Sequence, residues 1–330
     1  MNENRIRIAI DAMGGDLAPD EVVAGTVLAA RANKQASLLL VGPIPTLEGR
    51  LSGERPKNIR LVPAEETIKM GESASRAVRK MERSSIAVGL RLVKDGKADG
   101  FVSAGNSGAV MSTALFTLGR IKSVLRPPIA VVIPAFRGPF VLLDAGANAD
   151  CKAQHLLQFA HMGRAYASNI LGTADPVVGL LNIGEEPGKG NALYRKAYAL
   201  LEAADIRFAG NIEGGAVPRG DVQVLVCDGF SGNVVLKLME GTTQALMGEF
   251  KAALTGSVRS GLGAMLIRPG LESLKKRIDY EEYGGAELLG VGGVCVISHG
   301  SSKAKAIKNA IDVAAKSITA NVVKEVEHAL

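Results

Sequence analysis

Residues 8–16 read IAIDAMGGD and follow Arg5-Ile6-Arg7. A short apolar run that halts at two glycines reads as a buried strand feeding a tight turn. Just beyond, Pro19 and Asp20 open the pattern PDEVVAGTVLAARAN, with a proline and two acids in the first turn of a helix. Asp11, Gly14, Gly15 and Asp16 therefore fall between a strand end and a helix start. The first turn of a helix leaves backbone N–H groups unpaired, so this junction suits an anion; a tight turn without a ligand is the competing reading.

The same grammar repeats outward from this stretch. Strand-like runs ASLLLVG, GFVSAG, IAVVIP, FVLLDAG, VVGLLNIG, IRFAGNIEG, VQVLVCDG and GVCVISHG alternate with helical patterns such as CKAQHLLQFAHMGRAYASNIL and NALYRKAYALLEAA. The alternation predicts an α/β fold, a mostly parallel sheet with helices on both faces. No internal repeat or Pro/Ser-rich linker interrupts it, so residues 1–330 read as a single α/β domain with room for two lobes. Residues 235–280 depart from the pattern. There VVLKLMEGTTQALMGEFKAAL and LESLKKRIDYEEY read as two long helices joined by TGSVRSGLGAMLIRPG, a projecting helical hairpin within the domain.

With 330 residues, 47% of them hydrophobic, the chain has ample material for one large core or two modest ones. It shows no signal-peptide pattern and no run of 18 apolar residues, so a cytoplasmic protein without a membrane span is expected. Cys151, Cys227 and Cys295 lie far apart without Cys-x-x-Cys spacing, which predicts reduced thiols and no zinc site. A net charge of +6 with no Trp and 4% aromatics gives few platforms for stacking bases; it fits an acidic partner and argues against nucleic acid.

The strand ends carry the chemistry. DAMGGD, SAGNSGA, DAGAN, NIGEEPGKGN, GNIEGG, DGFSGN and SHGSS are small, Gly-rich and polar. In open α/β sheets the ligand crevice lies beyond the carboxyl ends of the strands, so these loops are expected to converge there. Gly14, Gly15, Gly105, Gly232 and Gly300 allow close backbone approach, while Ser103, Asn106, Ser107, Asn148, Asn182, Asn191, Asn233 and Ser301 offer uncharged hydrogen bonds. Such a site suits phosphate or another small anion. GEEPGKG has the wrong glycine spacing for a P-loop and ends in Gly190, and no Gly-x-Gly-x-x-Gly follows a strand, which removes the common nucleotide signatures.

The strings IAIDAMGGDLAPDEVV, SAGNSGA, LLDAGAN, NIGEEPGKGN, GNIEG, DGFSGNVVLK and DYEEYGGAELLGVGGVCVISHGSS, spread in order over residues 8–302, closely resemble the bacterial phosphate acyltransferase family of phospholipid synthesis. The resemblance implies transfer of a fatty acyl group from acyl carrier protein to inorganic phosphate, giving acyl phosphate and free carrier. It implies no metal or cofactor, and a fold resembling phosphate acetyltransferases and isopropylmalate-type dehydrogenases. It also implies a homodimer whose paired helices project and whose tips touch the inner face of the cell membrane, where a glycerol-3-phosphate acyltransferase would receive the product. Three departures from the family pattern stand out: Ser107 stands where Thr is common, Pro187-Gly188 is more turn-like than usual, and Glu287 replaces a usual Pro.

Phosphate is itself a nucleophile, so the enzyme must position it and supply donors to the developing oxyanion and the leaving thiolate. Lys189, between two glycines, is the first candidate to neutralise charge at the reacting centre, against the alternative of a solvated lysine. Asn233, expected at the start of the helix after DGFSG, is the candidate for orienting the carbonyl or phosphate, or else an ordinary helix cap. His299 is a candidate donor to phosphate or acid toward the thiolate, or a structural residue. Asp11, Asp16, Asp144 and Asp228 follow apolar strands; bracing of the Gly-rich turns is favoured over magnesium binding, with Asp11 and Asp228 bordering the phosphate site. Cys227 invites an acyl-cysteine reading, discounted because no His follows nearby and an apolar strand favours an inert thiol. Leu262, Met265, Leu266 and Ile267, beside Arg259 and Arg268, are the candidate membrane contact, with a dimer interface as the alternative. Arg219, Lys251 and Lys275 are candidates for docking the carrier by charge alone. Two other readings stay open: a coenzyme A-dependent phosphate acetyltransferase, and a non-catalytic membrane-binding scaffold.

Overall fold

The computed structural model describes residues 5–51, 53, 55–72, 82–257, 260, 263–264, 266–271 and 284–330. The opening stretch forms strand β1 (Arg7–Asp11) and, past the glycines, helix α1 (Asp20–Ala32). There follow β2 (Ser37–Gly42), α2 (Ile44–Arg50), β3 (Ile59–Pro63), α3 (Ser85–Lys94), β4 (Gly100–Ser103) and α4 (Ser107–Thr117). Next come β5 (Ile129–Ile133), β6 (Phe140–Leu143), α5 (Ala153–Ile170), β7 (Val178–Asn182), α6 (Ala192–Glu202) and β8 (Phe208–Glu213). A 3₁₀ turn (Gly214–Arg219) leads to β9 (Val224–Val226), α7 (Gly229–Thr255), β10 (Ala286–Leu288), β11 (Val294–Ile297), α8 (Ala304–Thr319) and α9 (Val322–His328).

The strands form one sheet in the order β3-β2-β1-β4-β11-β10-β5-β6-β9-β7-β8. Alternate side chains feed opposite faces, as the pleat requires. Ile8, Ile10, Leu38 and Leu40 pack with Val22 and Val23 of α1 and Ile307 and Ile311 of α8, whereas Ala9, Leu39 and Phe101 face Leu90 of α3 and Val110 of α4. In the other half, Val141, Leu143, Val178 and Val224 meet Leu156 and Phe159 of α5 and Ala197 of α6. Helices on both faces thus explain why most strands read as continuous apolar runs.

The sheet is mostly parallel, as the sequence predicts, with an antiparallel centre. β10 runs antiparallel to both β11 and β5, and β5 antiparallel to β6, while the other described pairings are parallel. Two parallel sets therefore run in opposite directions, so the loops after β1, β4 and β11 leave one edge and those after β6, β7 and β9 leave the other. The Gly-rich strand ends do not all converge on one edge, because strand direction is decided by pairing partners distant in sequence.

The start of the long helix also differs. α7 begins at Gly229, and its N-cap is Asp228, whose carboxylate accepts the Ser231 N–H at 2.8 Å. A Cβ on Gly232 would lie 1.9 Å from the Asp144 carbonyl oxygen and 2.9 Å from Cys227 Sγ, so the helix enters at a depth only glycine permits. Asn233 consequently sits past the first turn and is not the cap. From there the helix leaves the body, with Phe230, Val234, Leu238, Leu246 and Phe250 exposed along it. Residues 266–271 are helical. Arg259, Leu262, Met265, Lys275 and most of the expected second helix lie outside the described residues.

Candidate active site

The opening acid and glycines form a brace. The Asp11 carboxylate accepts the Ser103 hydroxyl at 2.6 Å and the Met13 N–H at 3.1 Å, and a Cβ on Gly14 would stand 2.4 Å from Asp11 Oδ2. Burial pushes the Asp11 carboxyl up, and the Ser103 hydroxyl opposes the shift. Ser103 Oγ accepts the Gly105 N–H at 3.0 Å, and the Gly300 carbonyl accepts the Asp16 N–H at 2.8 Å. The ends of β1, β4 and β11 are thereby locked together. Asn106 caps α4 through the Ala109 N–H and donates to the carbonyls of Met70 and Glu72.

A second group gathers at the opposite edge. Asp144 Oδ1 accepts N–H bonds from Ile129, Gly146 and Ala147, and its Oδ2 accepts the backbone and side-chain N–H of Asn148. Asn182 donates to the Lys189 carbonyl and to Asn211 Oδ1, while Asn191 caps α6 through the Tyr194 N–H. Tyr194 donates its hydroxyl to Asp228 at 2.6 Å. Lys189 Nζ is half exposed and lies 3.8 Å from Glu186 Oε1. These carboxylates and amides serve loop geometry, as bracing predicts.

Between the groups, over the antiparallel centre of the sheet, lies a cavity of about 630 Å³. This volume lies within the range of about 300–1,000 Å³ usual for small-molecule sites. Its apolar lining includes Met111, Ile129, Val131, Ile133, Leu236 and Met239. Of the residues singled out from the sequence, Ser107, Asn233, His299 and Ser301 meet here. Asp11, Gly14, Gly15, Ser103, Gly105, Asn106, Asn148, Asn182, Lys189, Asn191, Asp228, Gly232 and Gly300 are not among its lining residues.

Two charged lining residues are not among the candidates drawn from the sequence, Lys237 and Glu240. The signal was present: Asn233, Lys237 and Glu240 stand at i, i+4 and i+7, one face of α7. Burial pushes the Glu240 carboxyl up, and the nearby His299 and Lys237 oppose the shift. Across from this face, the Ser301 N–H points to His299 Nδ1 at 3.2 Å, with Ser301 Oγ 2.8 Å from the same nitrogen. A neutral ring accepting that N–H carries its proton on Nε2, which makes His299 a hydrogen-bond donor. Cys227 is fully buried, and burial followed by the nearby Asp228 and Asp144 carboxylates drives its thiol up, which disfavours a nucleophilic thiolate. Burial likewise holds the Cys151 thiol at about 12.

The chain is 48% identical over 326 residues to the phosphate acyltransferase of Desulfitobacterium hafniense (strain DSM 10664 / DCB-2), covering 98% of each chain. To the phosphate acyltransferase of Heliobacterium modesticaldum (strain ATCC 51547 / Ice1) it is 49% identical, covering 98% of this chain and 97% of that one. Among solved structures, a phosphotransacetylase from Streptococcus pyogenes superposes with a TM-score of 0.65 at 18% identity, covering 96% of this chain and 95% of that one. A branched-chain phosphotransacylase from Enterococcus faecalis V583 gives a TM-score of 0.57 at 14% identity over 95% and 99% of the two chains. At such identities these structures speak for a shared fold. Residues 6–325 match the family described as fatty acid synthesis protein, and with relatives near half identity across its length, the chain belongs to that family.

Proposed function

We propose that the chain is a phosphate acyltransferase that moves a fatty acyl group from the thioester of acyl carrier protein to inorganic phosphate. The observation that carries this reading is the cavity, whose apolar walls suit an acyl chain and meet Asn233, Lys237, His299, Ser107 and Ser301. The names of the full-length relatives point the same way. In the reaction, a phosphate oxygen attacks the thioester carbonyl, the C–O bond forms and the C–S bond breaks. The proton carried by HPO₄²⁻ ends on the departing thiol, so no net proton is gained or lost. Lys237 offsets phosphate charge, Asn233 and the Nε2–H of His299 donate to the oxyanion, and Ser107 and Ser301 orient phosphate. No enzyme-bound acyl group is required. Lys189 remains a candidate cation on the neighbouring edge, and Asn148, Asn182, Asn191 and Asp228 shape the loops around it.

The reading extends to a homodimer at the inner membrane face, delivering acyl phosphate to a membrane glycerol-3-phosphate acyltransferase. The exposed stripe of α7 supports a partner helix, and Leu266 and Ile267, 85% and 52% exposed, support contact with a bilayer surface. Among the described residues no helix is long and apolar enough to cross a membrane.

Thiol release from palmitoyl-acyl carrier protein, with and without phosphate, tests the proposal. Lys237→Ala is expected to lower phosphate-dependent release about 100-fold, and Lys189→Ala only a few-fold. The reverse order would return the central role to Lys189. Release indifferent to phosphate would remove the acyltransferase reading, and turnover only with acetyl-coenzyme A would favour the short-chain alternative.

A further inference from the structure

The cavity has a rim of unusual composition. Phe136, on the turn after β5, lines the cavity while leaving 68% of its surface in water. It is held in place by backbone pairing, the Phe136 N–H to the Pro218 carbonyl at 3.1 Å and the Arg137 N–H to the Arg219 carbonyl at 2.9 Å. This pairing sets the exposed aromatic beside two arginines whose side chains are 73% and 56% exposed. Both reach Asp221, at 3.0 and 2.8 Å, so two guanidinium groups share one carboxylate and keep donors to spare. Pairs between such exposed arginines and a carboxylate hold weakly, and the spare donors of each guanidinium suit bidentate pairing with an incoming carboxylate. An exposed aromatic flanked by arginine is the composition of a recognition surface.

We propose that Phe136, Arg137 and Arg219 form the docking surface for an acidic protein carrier that presents its acyl chain at the cavity mouth. The inference rests on the acyl-carrier reading above and adds where the carrier binds. A thioester tethered to a protein brings that protein's surface to the rim whenever its chain enters the cavity. A rim with two cations to one anion, on a chain of net charge +6, complements an acidic surface. The rim draws on residues 136–137 and 218–219, apart in sequence from the 262–267 segment assigned to the bilayer. Of the basic positions suggested by charge alone, Arg219 is, among the described residues, the one at this rim.

The test is steady-state thiol release by the full chain, with Arg137→Glu and Arg219→Glu singly and together. The double variant is expected to raise KM for the acylated carrier about ten-fold or more while kcat and KM for phosphate hold, because rim charges govern encounter. The rise of wild-type KM with salt should flatten in the variant. An unchanged carrier KM in the double variant overturns the assignment, as does an equal change in KM for phosphate, which would mean a distorted cavity. Lost vesicle flotation with unchanged carrier KM would give the rim to lipid and overturn it as well. If wild type releases no thiol from the acylated carrier, the underlying reading fails and the docking surface with it. If wild type turns over and the variants match it, only the docking surface fails.

Discussion

Glu287→Gln should stabilise this protein above neutral pH and leave it nearly unchanged in mild acid. Glu287 sits on β10, the short strand that joins the two halves of the sheet, and is 1% exposed. Its Oε2 accepts the Ser317 hydroxyl at 2.5 Å, and the buried Tyr166 hydroxyl also donates to it. Burial outweighs both bonds and raises the carboxyl from an ordinary 4.5 to about 7. The folded state thus holds this proton more tightly than the unfolded chain does. The stability it contributes is complete below pH 4.5, declines as pH rises, and is gone above about 7. Each pH unit of that window is worth about 1.4 kcal/mol, so the loss is about 3 kcal/mol. A glutamine keeps hydrogen-bonding groups facing Ser317 and Tyr166 and cannot ionise, so it removes the penalty. Urea midpoints at pH 5, 6, 7 and 8 measure it: wild type should weaken across the series while the variant changes little through this group. A variant weaker than wild type at pH 8, or one with the same pH slope, would refute the argument that a desolvated carboxylate costs stability here.

Two further outcomes follow from the packing around β9 and α7. Cys227→Ala should retain phosphate-dependent thiol release, because the thiol is buried among carboxylates and is not needed as a nucleophile. Trapping a covalent acyl-enzyme that vanishes in this variant would overturn the direct-attack mechanism. Gly232→Ala should cost about 3 kcal/mol or more, since the added methyl would lie 1.9 Å from the Asp144 carbonyl oxygen. Soluble expression with a wild-type melting temperature would contradict that close approach.

Much of the fold was written locally. The apolar runs expected as strands are strands, and the Pro19 and Asp20 signal marks α1. β3 escaped because its five residues, IRLVP, include the exposed Arg60 and Pro63 and lie at the sheet edge, where a continuous apolar run is not required. β10 escaped because it has three residues and carries Glu287, a charged residue that masks a core position. At the site, the polar strand ends were visible but their sorting was not. Lys189 looked poised between its glycines, yet the loop closes locally through Asn182 and Glu186. Lys237 and Glu240 were hidden in a helix whose sequence reads as one arm of the projecting hairpin.

The sequence by itself determined the α/β alternation, the family, the glycines at strand ends and the acids that brace them, because these depend on neighbours within a few residues. Only the tertiary structure decided which strands run antiparallel, which face of α7 closes the cavity, and which polar residues share it. Those outcomes depend on pairings such as β10 with β5, more than 150 residues apart, whose energies come from burial and ladder geometry that no local pattern encodes.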